Sequence, residues 1–553
     1  MIHNPILPGF HPDPSIIRVE DDFYLVTSTF EWFPGIPLYH SKDLKHWQLV
    51  DHLLKTPKQA DLLGVEQSRG VWAPGLSYDE QEGRFYLTYS VVHSRNNWLF
   101  DVDNYLMWTD DIRGEWSDPV YVNSSGFDPF IFHDDDGSKW ILNKDRDFRP
   151  WNMDKRSIVL QQFDPAEKKL VGPVTSISQG ATQRRFVEGA HMFKRDGWYY
   201  LLTAEGGTGY GHCAAIARSR NIRGPYEPSP YNPVVTSAAE EFAESESTPF
   251  LMPERYNPDM YLQKAGHASF VTTPAGEWYM VHLCGRPLMP QKRCILGRET
   301  AIQKIEWTDD GWPRLAGGGH LAQEWVEPPE GLDEHPFPAE NTFTVFDGER
   351  LPLAFCVPRV PITADWAYID MENHVLKLRG RESLTSFFNT SLIARRLMSF
   401  RATVTAKLHF QPDCYQQMAG ITCYYDAKNH FCAYKTYDES RGSAMVSVYS
   451  FHQNQMVDMK NCAEVPMDGP VWLRACIDHA RLQFYYSLDG ESYAPLGDEM
   501  DMSLLSDETC MPGCFTGSFV GMFAQDIYTR QAWATYEYFH YKQHDDEAAE
   551  PIL

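Results

Sequence analysis

Four side chains able to do acid–base chemistry stand at the heads of similar short segments. Asp13 opens "DPSIIRVEDDFYLVTS" and Asp128 opens "DPFIFHDDDGSKWILN". Glu188 opens "EGAHMFKRDGWYYLLT", and His267 opens "HASFVTTPAGEWYMVH". Asp13 is also clamped between Pro12 and Pro14 in "GFHPDPSI". Proline fixes its own φ and drives the preceding residue into extended backbone, so the direction of this carboxylate is set locally. Alone, Pro-Asp-Pro reads as a turn. Three convergent carboxylates mean more. Two carboxyls flanking a glycosidic bond are the minimum for sugar hydrolysis, one protonated and one ionised. A third negative charge raises a neighbour's pKa and so supplies a protonated acid near neutrality. Clustered acids with a histidine also suit a metal, but no compact ligand motif accompanies them.

These heads belong to a repeat. A fifth segment, "APGLSYDEQEGRFYLTYS" from Ala73, follows the same template: small or polar start, apolar strand, acidic or glycine-bearing turn, aromatic-led strand. The aromatic follows the first residue by 10, 12, 12, 10 and 11 positions in the five segments. A lone hairpin is marginal and must stack on neighbours. Short strands repeated at this spacing indicate a propeller, here of five blades. Equivalent positions of successive blades ring a central channel, which places Asp13, Trp72-Ala73, Asp128, Glu188 and His267 around one site. Phe30, Trp32, Phe33 and Trp72 offer apolar walls for a sugar ring.

At 553 residues the chain is long enough for two to four domains. A composition of 43% apolar and 22% charged residues suits large cores, and 14% aromatics suit both strands and sugar stacking. A net charge of −26 argues against nucleic acid or an anionic membrane as partner. "MIHNPILPGF" lacks a basic n-region and a long apolar run, so no secretory signal or transmembrane helix is expected. Eleven scattered cysteines, with only Cys510 and Cys514 close together, suit reduced thiols in a cytoplasm. Residues 323–341, "QEWVEPPEGLDEHPFPAEN", read as a linker between a propeller over 1–322 and a second domain over 342–553. There, "FRATVTAKLHF", "MAGITCYYD", "HFCAYKTY" and "LQFYYSLDG" are strand-like and end on turn signals, as in a β-sandwich.

Taken in order, "GFHPDPSI", "STFEWFPG", "VWAPGLSY", "GFDPFIFHDDDG", "VEGAHM", "KAGHAS" and "LGRETAIQ" resemble glycoside hydrolase family 43, in particular its β-xylosidases, over nearly the whole chain. The resemblance implies an all-β chain: a five-bladed β-propeller followed by a lectin-like, concanavalin-type β-sandwich. It implies hydrolysis with inversion, with Asp13 as general base, Glu188 as general acid and Asp128 as the acid that tunes and orients it. It further implies that Arg298 binds sugar hydroxyls, that Phe30 and Trp72 wall the pocket, and that His267 lies at the channel centre. In some relatives that histidine neighbours a calcium ion; no cofactor is otherwise required. A sandwich loop is expected to lend Phe515 or Phe519 to the rim and so close the pocket to chain ends. One stretch departs from the family pattern: "NKDRDFRPW" puts Arg146 where relatives carry a tryptophan, unless Trp151 swings in. The expected activity is exo-acting release of xylose from short β-1,4-xylo-oligosaccharides, in a cytoplasmic homo-oligomer. α-L-Arabinofuranosidase activity on arabinosyl-substituted oligosaccharides is the alternative. A non-catalytic sugar-binding propeller is a further alternative, favoured if any of the three acids were missing, and none is.

Overall fold

The structure is a computed structural model, and it describes residues 1–96, 99–242, 251–457, 461–510 and 515–544. Five antiparallel sheets are built from consecutive strands over residues 15–54, 70–123, 126–178, 188–236 and 263–315. In each, four strands pair in chain order, with Trp32–Phe33 left out of blade 1 and Val235–Thr236 paired back on Cys213–Ala214 in blade 4, so every sheet is one blade of the expected propeller. The inner strand of blade 3, Gly126–His133, "GFDPFIFH", is buried at every position but the last. The outer strand of the same blade, Lys169–Ser178, is mostly exposed. This gradient explains why the blade heads read as apolar runs and the later strands as polar ones.

The ring is closed by the first dozen residues. Ile2–His3 pairs antiparallel with Trp325–Val326, inside the segment read as a linker. The Asn4 amide donates to the carbonyls of Ile302 and Gln323 at 2.8 and 2.9 Å. The His11 N–H donates to the Arg298 carbonyl at 2.8 Å. The chain is thus strapped to blade 5 just before it delivers Asp13 to the channel. The rest of 323–341 crosses blade 1, where the His335 N–H donates to Asp43 and Phe337 packs on His40.

Residues 343–543 form two packed sheets of eight and seven strands, the expected sandwich. Trp366, Tyr425 and Tyr536 are fully buried in it, and the Tyr536 hydroxyl contacts the carbonyls of Gly420 and Phe523 at 2.8 and 2.7 Å. The sandwich is fastened to the propeller close to the channel. Val357–Pro358 pairs with Trp32–Phe33, and Arg396 Nε donates to the Phe10 carbonyl at 2.7 Å. Lys264, wholly buried, reaches Asp507 at 3.3 Å and Glu508 at 2.6 Å in a sandwich loop. Where that loop passes Arg298, a Cβ on Gly297 would fall 1.9 Å from the Thr516 carbonyl oxygen, so only glycine admits the approach.

Candidate active site

The acids are aimed by a repeated backbone irregularity. The inner strands of blades 2 to 5 each carry an extra residue, a β-bulge, between Trp72 and Gly75, Phe127 and Phe130, Glu188 and His191, and Gly266 and Ala268, and blade 5 has a second bulge between Gln263 and Gly266. Within these bulges Ala73, Asp128, Gly189 and His267 adopt left-handed backbone at φ 34°, 56°, 57° and 48°. Asp13, just ahead of the inner strand of blade 1, has φ 56°, so the extended backbone expected of a residue before proline is overridden by the same left-handed turn that the other blades use. Bulges re-aim side chains and are frequent beside active sites. This register corrects the expected ring at one place. Gly189, not Glu188, is the blade-4 counterpart of Asp13, Asp128 and His267. Glu188 stands one position earlier, level with Trp72, Phe127 and Gly266. Asp13, Asp128 and His267 occupy the ring as expected, and Glu188 still joins them from the adjacent row.

Hydrogen bonds link the ring from blade to blade. Ser28 Oγ donates to Asp13 Oδ2 at 2.7 Å and accepts from the Ala73 N–H at 2.7 Å. The Gly189 N–H donates to Asp128 Oδ2 at 2.9 Å. His267 Nδ1 lies 3.4 Å from Asp13 Oδ1, and its ring lies flat against Gly189, where a Cβ would approach to 2.9 Å. The His267 imidazole is therefore wedged between Asp13 and the backbone next to Glu188.

Burial pushes the Asp128 carboxyl well above its ordinary range, and the charges of Glu188 and Asp13 push it further. Glu188 is also raised, by burial first and then by Asp13, against the pull of Lys144, Arg146 and Arg95. Paired carboxyls of this kind titrate together. The cluster thus retains a proton at pH values where free carboxylic acids have lost theirs. His267 is lowered by burial and by Arg298, against the pull of Asp13, which keeps its imidazole neutral.

Aromatic rings wall the pocket. Trp72 meets Phe30 edge-on at 6.0 Å, Phe127 at 5.6 Å and Phe100 at 6.2 Å. From the sandwich, Phe515 reaches Phe30 and Trp72, each at 6.5 Å. Arg298 lies 4.8 Å from the Phe515 ring and donates to the Phe515 carbonyl at 2.9 Å. Phe519 does not reach the site. It is fully buried and stacked on Trp32 at 3.8 Å, packing the joint between the domains. Cys514, next to Phe515, lies outside the described residues; Cys510 is buried.

Trp151 does not swing in. It is 74% exposed, in a short 3-10 turn. Arg146 instead lies 4.3 Å over Phe100, with Arg95 5.1 Å from the same ring. Burial lowers both guanidiniums to about 10, with Glu188 pulling each back up. Arg146 and Phe100 also line a cleft of about 660 Å³ with Ser94, Asp145 and Phe148. The sequence reading missed Ser28, Phe100, Phe127, Arg95 and Lys144. Only Phe127 carried a signal, since "GFD" places it level with Trp72 in the template.

Among the described residues, no group of three or more His, Cys, Asp or Glu side chains is arranged to hold a metal ion. Calcium takes six to eight oxygen ligands. Around His267 the chain supplies Asp13 and the buried, neutral imidazoles of His191 and His212, which do not fit that preference.

Residues 2–313 match glycosyl hydrolases family 43, and residues 344–542 match the beta xylosidase C-terminal concanavalin A-like domain. A xylosidase/arabinosidase 43B of Humicola insolens is 42% identical over 99% of both chains. A beta-xylosidase of Bacillus subtilis is 39% identical over 98% of this chain and 99% of its own. The crystal structure of a xylan beta-1,4-xylosidase from Bacillus halodurans superposes with a TM-score of 0.92 at 44% identity, covering 98% of this chain and 100% of that one. With the propeller, the sandwich and the acid ring in place, these matches show that the chain is a member of glycoside hydrolase family 43.

Proposed function

We propose that the protein is an exo-acting, inverting β-xylosidase that releases xylose from the non-reducing ends of short β-1,4-xylo-oligosaccharides. The observation that carries this reading is the closure of a three-carboxylate pocket by Phe515 of the second domain. A pocket walled on that side favours a chain end over a mid-chain segment.

Each acid then has a distinct task. Asp13, oriented by Ser28 and His267, is the general base that draws a proton from the attacking water. Glu188, held protonated by burial and by Asp13, donates to the leaving oxygen. Asp128 repels the Glu188 charge and, through the Gly189 N–H, holds the backbone that carries it. Inversion needs base and acid roughly 6.5–9.5 Å apart so that a water fits. Arg298 and the aromatic walls bind the glycon.

α-L-Arabinofuranosidase activity is the second reading, favoured by the 42% identity to a xylosidase/arabinosidase. Arg146 over Phe100 gives a more polar leaving-group side, suited to substituted oligosaccharides. A cytoplasmic setting is supported by the buried free thiols of Cys213, Cys284, Cys294, Cys356, Cys423, Cys432 and Cys476. The test is kcat/KM on a matched pair of aryl glycosides. A higher value for the β-xyloside than for the α-L-arabinofuranoside is expected; the reverse order would replace the first reading by the second, and inactivity on both would overturn both.

A further inference from the structure

One buried polar atom beside the acid ring has no partner among the described residues. His212, 1% exposed, immediately precedes strand Cys213–Ser219 of blade 4. Its Nδ1 lies 3.1 Å from the Lys264 carbonyl oxygen. A carbonyl only accepts, so Nδ1 carries the proton. Burial holds the ring neutral, lowering its pKa to about 3, with His267 and Arg298 pushing the same way. Nε2 is therefore a bare acceptor, and among the described residues no group donates to it. A buried acceptor left unpaired is costly.

The bulge register locates this ring. Gly266 is the blade-5 counterpart of Trp72, Phe127 and Glu188. A Cβ on Gly266 would fall 2.5–2.6 Å from the Cγ, Cδ2 and Cε1 atoms of His212. Blade 5 thus leaves out its own side chain in this row, and the imidazole of His212 takes the place. Arg298, whose Nε is likewise buried without a partner, is close by. The carbonyl that fixes the tautomer is itself well anchored, because the Lys264 ammonium is clamped by Asp507 and Glu508 of the sandwich.

We propose that His212 is a glycon-binding residue whose Nε2 accepts the proton of one sugar hydroxyl, beside the donating guanidinium of Arg298. The proposal rests on the pentosidase reading above. It assigns to the neutral imidazole the acceptor half of hydroxyl recognition, and it explains why position 266 is glycine.

The test compares kcat/KM for an aryl β-xyloside and its 2-, 3- and 4-deoxy analogues in wild type, His212→Ala and His212→Gln. Wild type should lose about 10- to 100-fold on one analogue, because a site built to bond a hydroxyl rejects a sugar that lacks it. His212→Ala should lose a similar factor on the parent sugar and almost nothing further on that analogue. His212→Gln, whose amide oxygen can approach the Nε2 position, should recover part of the loss. Each ratio is taken within one enzyme sample, so a partly misfolded variant does not distort it. If His212→Ala keeps the wild-type ratios on all three analogues, the proposal is overturned. Nitrogen-15 spectra of histidine-labelled enzyme should show the Nδ1-protonated tautomer at His212; protonation at Nε2 would also overturn it. Should wild type cleave arabinofuranosides and not xylosides, the β-xylosidase reading fails, and the same ratios are read on deoxy-arabinofuranosides.

Discussion

The Gly189 N–H donates to Asp128 Oδ2 at 2.9 Å, so blade 4 hangs the residue next to Glu188 on the carboxylate of blade 3. Two acids from different blades are thus coupled twice, by charge and by backbone. An amide at 128 keeps the acceptor and removes the charge, which separates the two couplings.

For Asp128→Asn the alkaline limb of kcat/KM should move to lower pH, because Glu188 loses a repelling neighbour and gives up its proton more readily. Stability should respond in a defined direction. A carboxyl whose pKa is raised on folding contributes stability below its unfolded value of about 4, and that contribution is lost as pH rises through the folded value. The variant lacks this loss, so its Tm should exceed that of wild type more at pH 7.5 than at pH 4. A pH–rate profile and thermal melts check both; an unmoved limb would show that the Asp128 charge does not tune the acid.

Removing the proton donor and removing the base should have different signatures. Glu188→Ala should cut kcat/KM by about 10²–10⁴-fold on sugars with poor leaving groups and largely spare activated aryl glycosides. Asp13→Ala should abolish both, because water must be activated whatever leaves. Substantial turnover of either substrate by Asp13→Ala would contradict its role as base.

Phe515 and Phe519, four residues apart with Phe519 opening the strand Phe519–Asp526, should respond oppositely. Phe515→Ala opens the wall shared with Phe30 and Trp72, raising KM with little effect on Tm. Phe519→Ala leaves a cavity against Trp32 and should cost about 3–5 kcal/mol of stability while KM holds. Steady-state kinetics with chemical denaturation distinguish them, and a stability loss confined to Phe515→Ala would reverse the assignment.

Much of this was legible in the chain, for stated reasons. Five segment heads with matched aromatic offsets gave the blades, because each hairpin must repeat the burial of its neighbour. Asp13, Asp128 and His267 were found because they are the polar residues at those heads. Glu188 was placed one position out, because the template was aligned on side-chain chemistry while the backbone aligns on φ. Gly189 adopts the left-handed bulge at no steric cost and bears no side chain to draw notice. Ser28, Lys144 and Arg95 left no pattern, because they reach the acids from other strands. The choice between Phe515 and Phe519 depended on packing between two domains, which no local spacing encodes.

Attack by a water held on Asp13, opposite a leaving group protonated by Glu188, is tested most directly by the configuration of the first sugar released. Proton NMR during rapid turnover of a β-xyloside should show α-xylose appearing first and the β anomer growing only by mutarotation. Initial appearance of β-xylose would contradict the account.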